Sequence, residues 1–127
     1  MGKTILTSKN WVPAGPYSLG VQLGNLVFLS GQIATSNDGS VMDGFDVRAQ
    51  TDLVIDKMVE ILSDAEMSLE HVVSTTVYLQ SLGDYEAMNE IYSARFSDPY
   101  PARATVRADL AGEGLLVEIS AIAGRIK

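Results

Sequence analysis

Arg103 and Glu118 are the residues of this chain whose types and spacing could do chemistry. Pro101-Ala102-Arg103-Ala104-Thr105 runs about a dozen residues ahead of Val117-Glu118-Ile119, so a planar cation and a carboxylate each sit in or beside a short β-type run. A guanidinium presents a rigid fork of N–H donors that can hold a small carboxylate through two parallel hydrogen bonds, fixing orientation as well as charge. A nearby glutamate can then move protons or position water. Taken singly, each has a plainer reading: an arginine beside a strand is usually a surface charge, and a glutamate between Val117 and Ile119 is usually the wet face of a half-buried strand.

The rest of the composition removes competing chemistries. With no cysteine there is no thiolate nucleophile, disulfide framework or cysteine metal site. The single histidine, His71, is too few for a histidine zinc cluster and would have to serve any Ser-His-Asp triad alone. It lies in Ser68-Leu69-Glu70-His71-Val72, a turn leading into a strand, where a solvent-exposed structural role is expected. Nine basic against sixteen acidic side chains leave a net charge of −7, which disfavours nucleic acid and anionic membrane as partners. The 127 residues fit one domain, 1–127, large enough for its own core. No transmembrane-length apolar run or signal-peptide layout is visible, so a soluble cytoplasmic protein is expected.

Elements that could position the pair follow from periodicity. Two β-rich runs flank Gly24-Asn25, a dipeptide suited to positive φ, and predict a hairpin over Gly20 to Ser30. After the turn cluster Ser36 to Ser40, Val47, Val54, Met58, Ile61 and Ala65 recur at helical spacing, with Arg48, Asp52, Asp56, Lys57 and Glu60 assigned to the solvated side. Val72 to Leu79 reads as a strand. Asp84 offers an N-cap for a second helix through about Phe96, with Tyr85, Met88, Tyr92 and Phe96 as its core stripe. Asp98-Pro99-Tyr100-Pro101 ends that helix, and strands over 104–110 and 115–123 flank the Ala111 to Gly114 turn.

The order β-β-β-α-β-α-β-β argues for α+β, a sheet with two helices on one face. The last strand carries apolar residues at both alternations, Val117, Ile119 and Ala121 against Leu116 and Ile122. Two helices cannot cover both faces, so self-association is expected.

Four segments together resemble the RidA (YjgF) reactive-intermediate deaminase family over nearly the whole chain. They are Gly15-Pro16-Tyr17-Ser18; Leu29-Ser30-Gly31-Gln32-Ile33; the run Asp84 to Phe96 with Asn89; and Tyr100 to Val106 followed by Val117 to Ala123. The resemblance implies a chorismate-mutase-like subunit, a mixed six-stranded sheet with two helices on one face, assembled as a homotrimer with sites in the clefts between subunits. It implies hydrolysis of 2-imino or enamine acids, such as 2-iminopropanoate and 2-iminobutanoate, to 2-keto acids and ammonia, with no metal or other cofactor. By the same resemblance Arg103 binds the substrate carboxylate and Glu118 places the water, while Tyr17, Ser30, Gly31, Asn89 and Thr105 line the pocket. Thr105 stands where some members have cysteine, and Ser120 replaces a frequent second glutamate.

Two alternatives stay open. One is a non-enzymatic module that binds 2-keto or amino acids through Arg103; the other is a deaminase of another enamine, such as 3-aminoacrylate. An RNA-cleaving role is disfavoured by the acidic balance and the lack of a histidine pair.

Overall fold

The computed structural model describes residues 2–42 and 44–126. Gly24 turns the predicted hairpin with φ of 60°, a left-handed value that glycine adopts without a Cβ penalty, and joins β2 (Gly20–Leu23) to β3 (Leu26–Ile33). The remaining elements are β1 (Thr4–Leu6), α1 (Val47–Asp64), β4 (Val72–Leu79), α2 (Tyr85–Arg95), β5 (Ala102–Arg107) and β6 (Val117–Gly124). The six strands form one mixed sheet in the order β1-β2-β3-β6-β4-β5. Only β4 and β5 run parallel among these pairs, because α2 is the crossover between them.

The helical layer covers one face. Val54, Ile55, Met58, Ile61 and Leu62 of α1 are essentially buried and meet Val27 and Leu29 of β3 and Ile119, Ala121 and Ala123 of β6. Each such aliphatic side chain contributes roughly 1.5–3 kcal/mol when removed from water. The Asp46 carboxylate accepts the Ala49 N–H at 2.9 Å and starts α1. Glu66, at φ of 58°, ends it: the Met67 N–H reaches the Leu62 carbonyl and the Glu66 N–H that of Ser63. On the other face Leu26, Phe28, Val106 and Ile122 are exposed, the two-sided apolar pattern expected of the sheet. Among the described residues no helix is long and apolar enough to cross a membrane.

Several local expectations are corrected. Lys57 does not lie on the solvated side of α1; it is 4% exposed, because the chain after β3 folds over it. Tyr85 is not core but exposed, while Met88, Tyr92 and Phe96 of the same stripe are buried. Asp84 gives α2 no side-chain cap, since a 3-10 turn over Leu82–Asp84 precedes the helix and Ser81 caps that turn through the Gly83 N–H. β5 begins two residues earlier than expected, at Ala102, and β6 two later, at Val117, because Leu115 closes the preceding turn on the Gly112 carbonyl. His71 is half-buried, and its Nδ1 accepts the Ser68 N–H at 3.0 Å, a local structural task.

Candidate active site

Arg103 occupies the sheet edge, on β5, level with Thr75 of β4. That register turns it toward the helical face, where Thr75 bonds the Tyr92 hydroxyl at 2.7 Å. The guanidinium carbon stands 4.7 Å from the Tyr92 ring centroid and 5.7 Å from that of Tyr85. One N–H is donated to the Tyr85 hydroxyl at 3.2 Å, and no carboxylate pairs with Arg103 among the described residues. Two aromatic faces therefore hold the fork in place and leave most of its donors free.

Asn89, Tyr92 and Arg103 line a cleft of about 580 Å³ that Tyr100 and Pro101 close on the other side. The Asn89 amide, and then the charge and donor of Arg103, hold the Tyr85 phenol below its ordinary pKa. Thr105 is level with Val77 and so faces the helices with Arg103; its Oγ1 is buried and has no hydrogen-bond partner. A buried hydroxyl without a partner costs about 1–3 kcal/mol, which a bound polar group relieves.

Glu118 lies elsewhere. It pairs with Tyr78 of β4 and Ile33 of β3, on the alternation opposite to buried Val117 and Ile119. Thr75 and Tyr78 are three residues apart on one strand, so Arg103 and Glu118 occupy opposite faces of the sheet. Glu118 rests on Gly31: a Cβ there would stand 2.0 Å from Glu118 Oε2. The register of β3 on β6 shifts between Leu29 and Gln32, and that irregularity brings Gly31 under the carboxylate. Burial pushes the Glu118 pKa up, toward a group able to exchange its proton nearer neutrality.

Tyr17 and Gly31 line a second cleft, of about 400 Å³, beneath the segment Trp11 to Tyr17. Ser30 fixes that segment by donating its hydroxyl to the Ser18 carbonyl at 2.6 Å. Within one chain the seven residues singled out by sequence thus form two groups. Arg103, Asn89 and Thr105 gather at β5 and α2; Tyr17, Ser30, Gly31 and Glu118 gather around the end of β3.

Sequence reasoning missed Tyr85 and Tyr92 as supports of Arg103. Their signal was available: Tyr85, Asn89 and Tyr92 recur at four- and three-residue spacing, one face of α2. Besides lining the second cleft, Gly31 has a task that its type alone does not reveal: its missing Cβ makes room for Glu118.

Known proteins resemble the chain from end to end. A family model described as Endoribonuclease L-PSP matches residues 7–125. A RutC family protein of Pyrococcus abyssi is 40% identical over 122 residues, 95% of either chain. The crystal structure of RidA from the Antarctic bacterium Psychrobacter sp. is 36% identical and superposes with a TM-score of 0.87 over 96% of this chain and 98% of its own. That of E. coli TdcF with bound serine is 30% identical, with a TM-score of 0.85 over 96% and 98%.

Proposed function

Since the chain belongs to the RidA/YjgF family, we propose that it hydrolyses small 2-imino or enamine acids, such as 2-iminopropanoate, to 2-keto acids and ammonia. The observation that carries this reading is Arg103, an arginine without a carboxylate partner among the described residues, propped between Tyr85 and Tyr92 at the wall of a cleft. That is a receptor for a small carboxylate. A structural relative solved with serine bound supports the choice of ligand size, since serine and an imino acid share the α-carboxylate.

The two groups of residues meet in one site when two copies of the chain assemble, in a homotrimer with clefts between subunits. The exposed apolar face of the sheet supports self-association. In the shared cleft Arg103 of one subunit holds the substrate carboxylate, with Asn89 and Thr105 beside it. Glu118 of the next, seated on Gly31 and near Tyr17 and Ser30, orients a water against the imine carbon. The glutamate takes a proton from that water as the C–O bond forms and passes it to nitrogen, giving a carbinolamine; it then takes the hydroxyl proton and passes it to the amine, so that C=O forms, the C–N bond breaks and ammonia leaves. The imine already decays in water; fixing its carboxylate beside one oriented water supplies the acceleration.

The test generates iminopropanoate in situ with an amino-acid oxidase and follows its loss by semicarbazide trapping. Wild-type protein should accelerate the loss, and Glu118→Gln should keep 2-ketobutyrate binding while losing most of that acceleration. Wild type that binds 2-ketobutyrate through Arg103 yet leaves the imine at its protein-free level sinks the enzyme and establishes a binding module instead. Unimpaired turnover by Glu118→Gln assigns the water to other groups.

A further inference from the structure

Lys57 is a lysine buried in the interior of the fold. It is 4% exposed, and among the described residues no carboxylate pairs with it. Its Nζ donates to the Ile33 carbonyl at 2.8 Å and to Thr35 Oγ1 at 2.9 Å, and stands 5.2 Å from the centroid of the Trp11 ring. It also lines the 400 Å³ cleft with Trp11, Val12, Tyr17 and Gly31. A neutral amine has two N–H donors, which the Ile33 carbonyl and Thr35 Oγ1 can both take up, leaving its lone pair for a molecule bound in the cleft that Lys57 lines.

The geometry points to Lys57 as a carbonyl-capturing amine that forms a Schiff base with a small 2-oxo carboxylic acid in this cleft. The lone pair attacks the keto carbon and a carbinolamine forms. One amine proton passes to the departing hydroxyl, with the Thr35 hydroxyl in place to relay it, the C–O bond breaks, and water leaves. The product is a C=N bond to Nζ, with no change in oxidation state. A 2-oxo acid is favoured over a simple aldehyde because the Schiff base, once it takes up a proton from solvent, is a cation with no anion hydrogen-bonded at Nζ among the described residues. A carboxylate on the adjacent carbon supplies one, while Trp11, Val12 and Leu19 accommodate a short alkyl chain.

Desolvation lowers the Lys57 pKa from 10.5 to about 8. At pH 7.5 about a quarter of such amines carry a lone pair, against about one in a thousand for an ordinary lysine. The titratable groups around the cleft are Asp38, occupied by Ser36 and Ser40, Tyr17, and Glu118 against Gly31. None of them hydrogen-bonds Nζ. The cleft is the Tyr17 and Gly31 half of the site proposed above, and the inference rests on that cleft but not on imine hydrolysis.

Its test treats the intact protein with pyruvate and cyanoborohydride at pH 7.5 and maps the reduced adduct by peptide mass spectrometry. Lys9, exposed in the same chain, is the internal reference. Lys57 should be modified at least about tenfold faster than Lys9, because only Lys57 lines a cleft that can hold the keto acid beside its amine. The adduct should be absent from Lys57→Arg, and as a mass increment on one peptide it is read whether or not the protein hydrolyses imines. Modification of Lys57 no faster than that of Lys9 overturns the assignment, and that comparison within the wild type decides it even where a variant fails to fold.

Discussion

At the scale of single residues, two side chains matter for what they are prevented from doing. Arg103 is kept from wandering by Tyr85 and Tyr92, so its planar fork is presented rather than dispersed over rotamers. Arg103→Lys keeps the charge and loses the fork; calorimetry should show 2-ketobutyrate binding weakened by roughly 1–3 kcal/mol, and equal affinity would show that charge alone suffices. Glu118 is kept in position by the absence of an atom. Gly31→Ala puts a methyl group 2.0 Å from its carboxylate oxygen, so Glu118 must move while the sheet around it stays paired. Imine hydrolysis should fall by roughly tenfold to a hundredfold with the melting temperature little changed, the loss expected when a water-orienting group is displaced by about 1 Å. An unaltered rate would separate Glu118 from the chemistry. The types of these residues were legible in the sequence; the supports of Arg103 were legible only as a shared face of α2, not as contacts to the guanidinium. Tyr85 shares helical spacing with core residues, and only the exposed start of α2 lifts it out to Arg103.

Elements were legible where local chemistry and tertiary packing agree. Gly24-Asn25 makes the turn it promises, and the Val47 to Ala65 periodicity becomes the buried face of α1. They were obscured where a partner distant in sequence decides. Lys57 reads as polar surface from its neighbours, yet backbone and hydroxyl oxygens of Ile33 and Thr35 satisfy it in the interior. The end of α1 was hidden for another reason: the left-handed position that closes it holds Glu66, where a glycine would have announced the stop. Glu66→Gly removes that Cβ strain and leaves in place the Glu66 carbonyl that accepts from Arg125 at 2.8 Å. Thermal unfolding should show about 1 kcal/mol of added stability, a rise of a few degrees in Tm. A lower Tm would mean that the glutamate side chain stabilises this corner by more than the strain costs.

For the whole molecule, the sequence carried the two-sided apolar pattern of β6 but not which face each functional residue would take, because that depends on the register of β5 and β6 on β4. The register places Arg103 and Glu118 on opposite faces, and under the proposed function this turns self-association from a matter of covering apolar surface into a condition for activity. Under the proposed homotrimer each site draws its arginine from one subunit and its glutamate from the next. The direct measurement is complementation. Arg103→Ala and Glu118→Gln, each inactive alone, are mixed in equal amounts, exchanged through mild denaturation and refolding, and assayed for iminopropanoate hydrolysis. Random assembly gives one interface in about four with both residues intact, so about a quarter of the wild-type rate should return. A mixture no more active than the two variants measured separately would contradict a site shared between subunits.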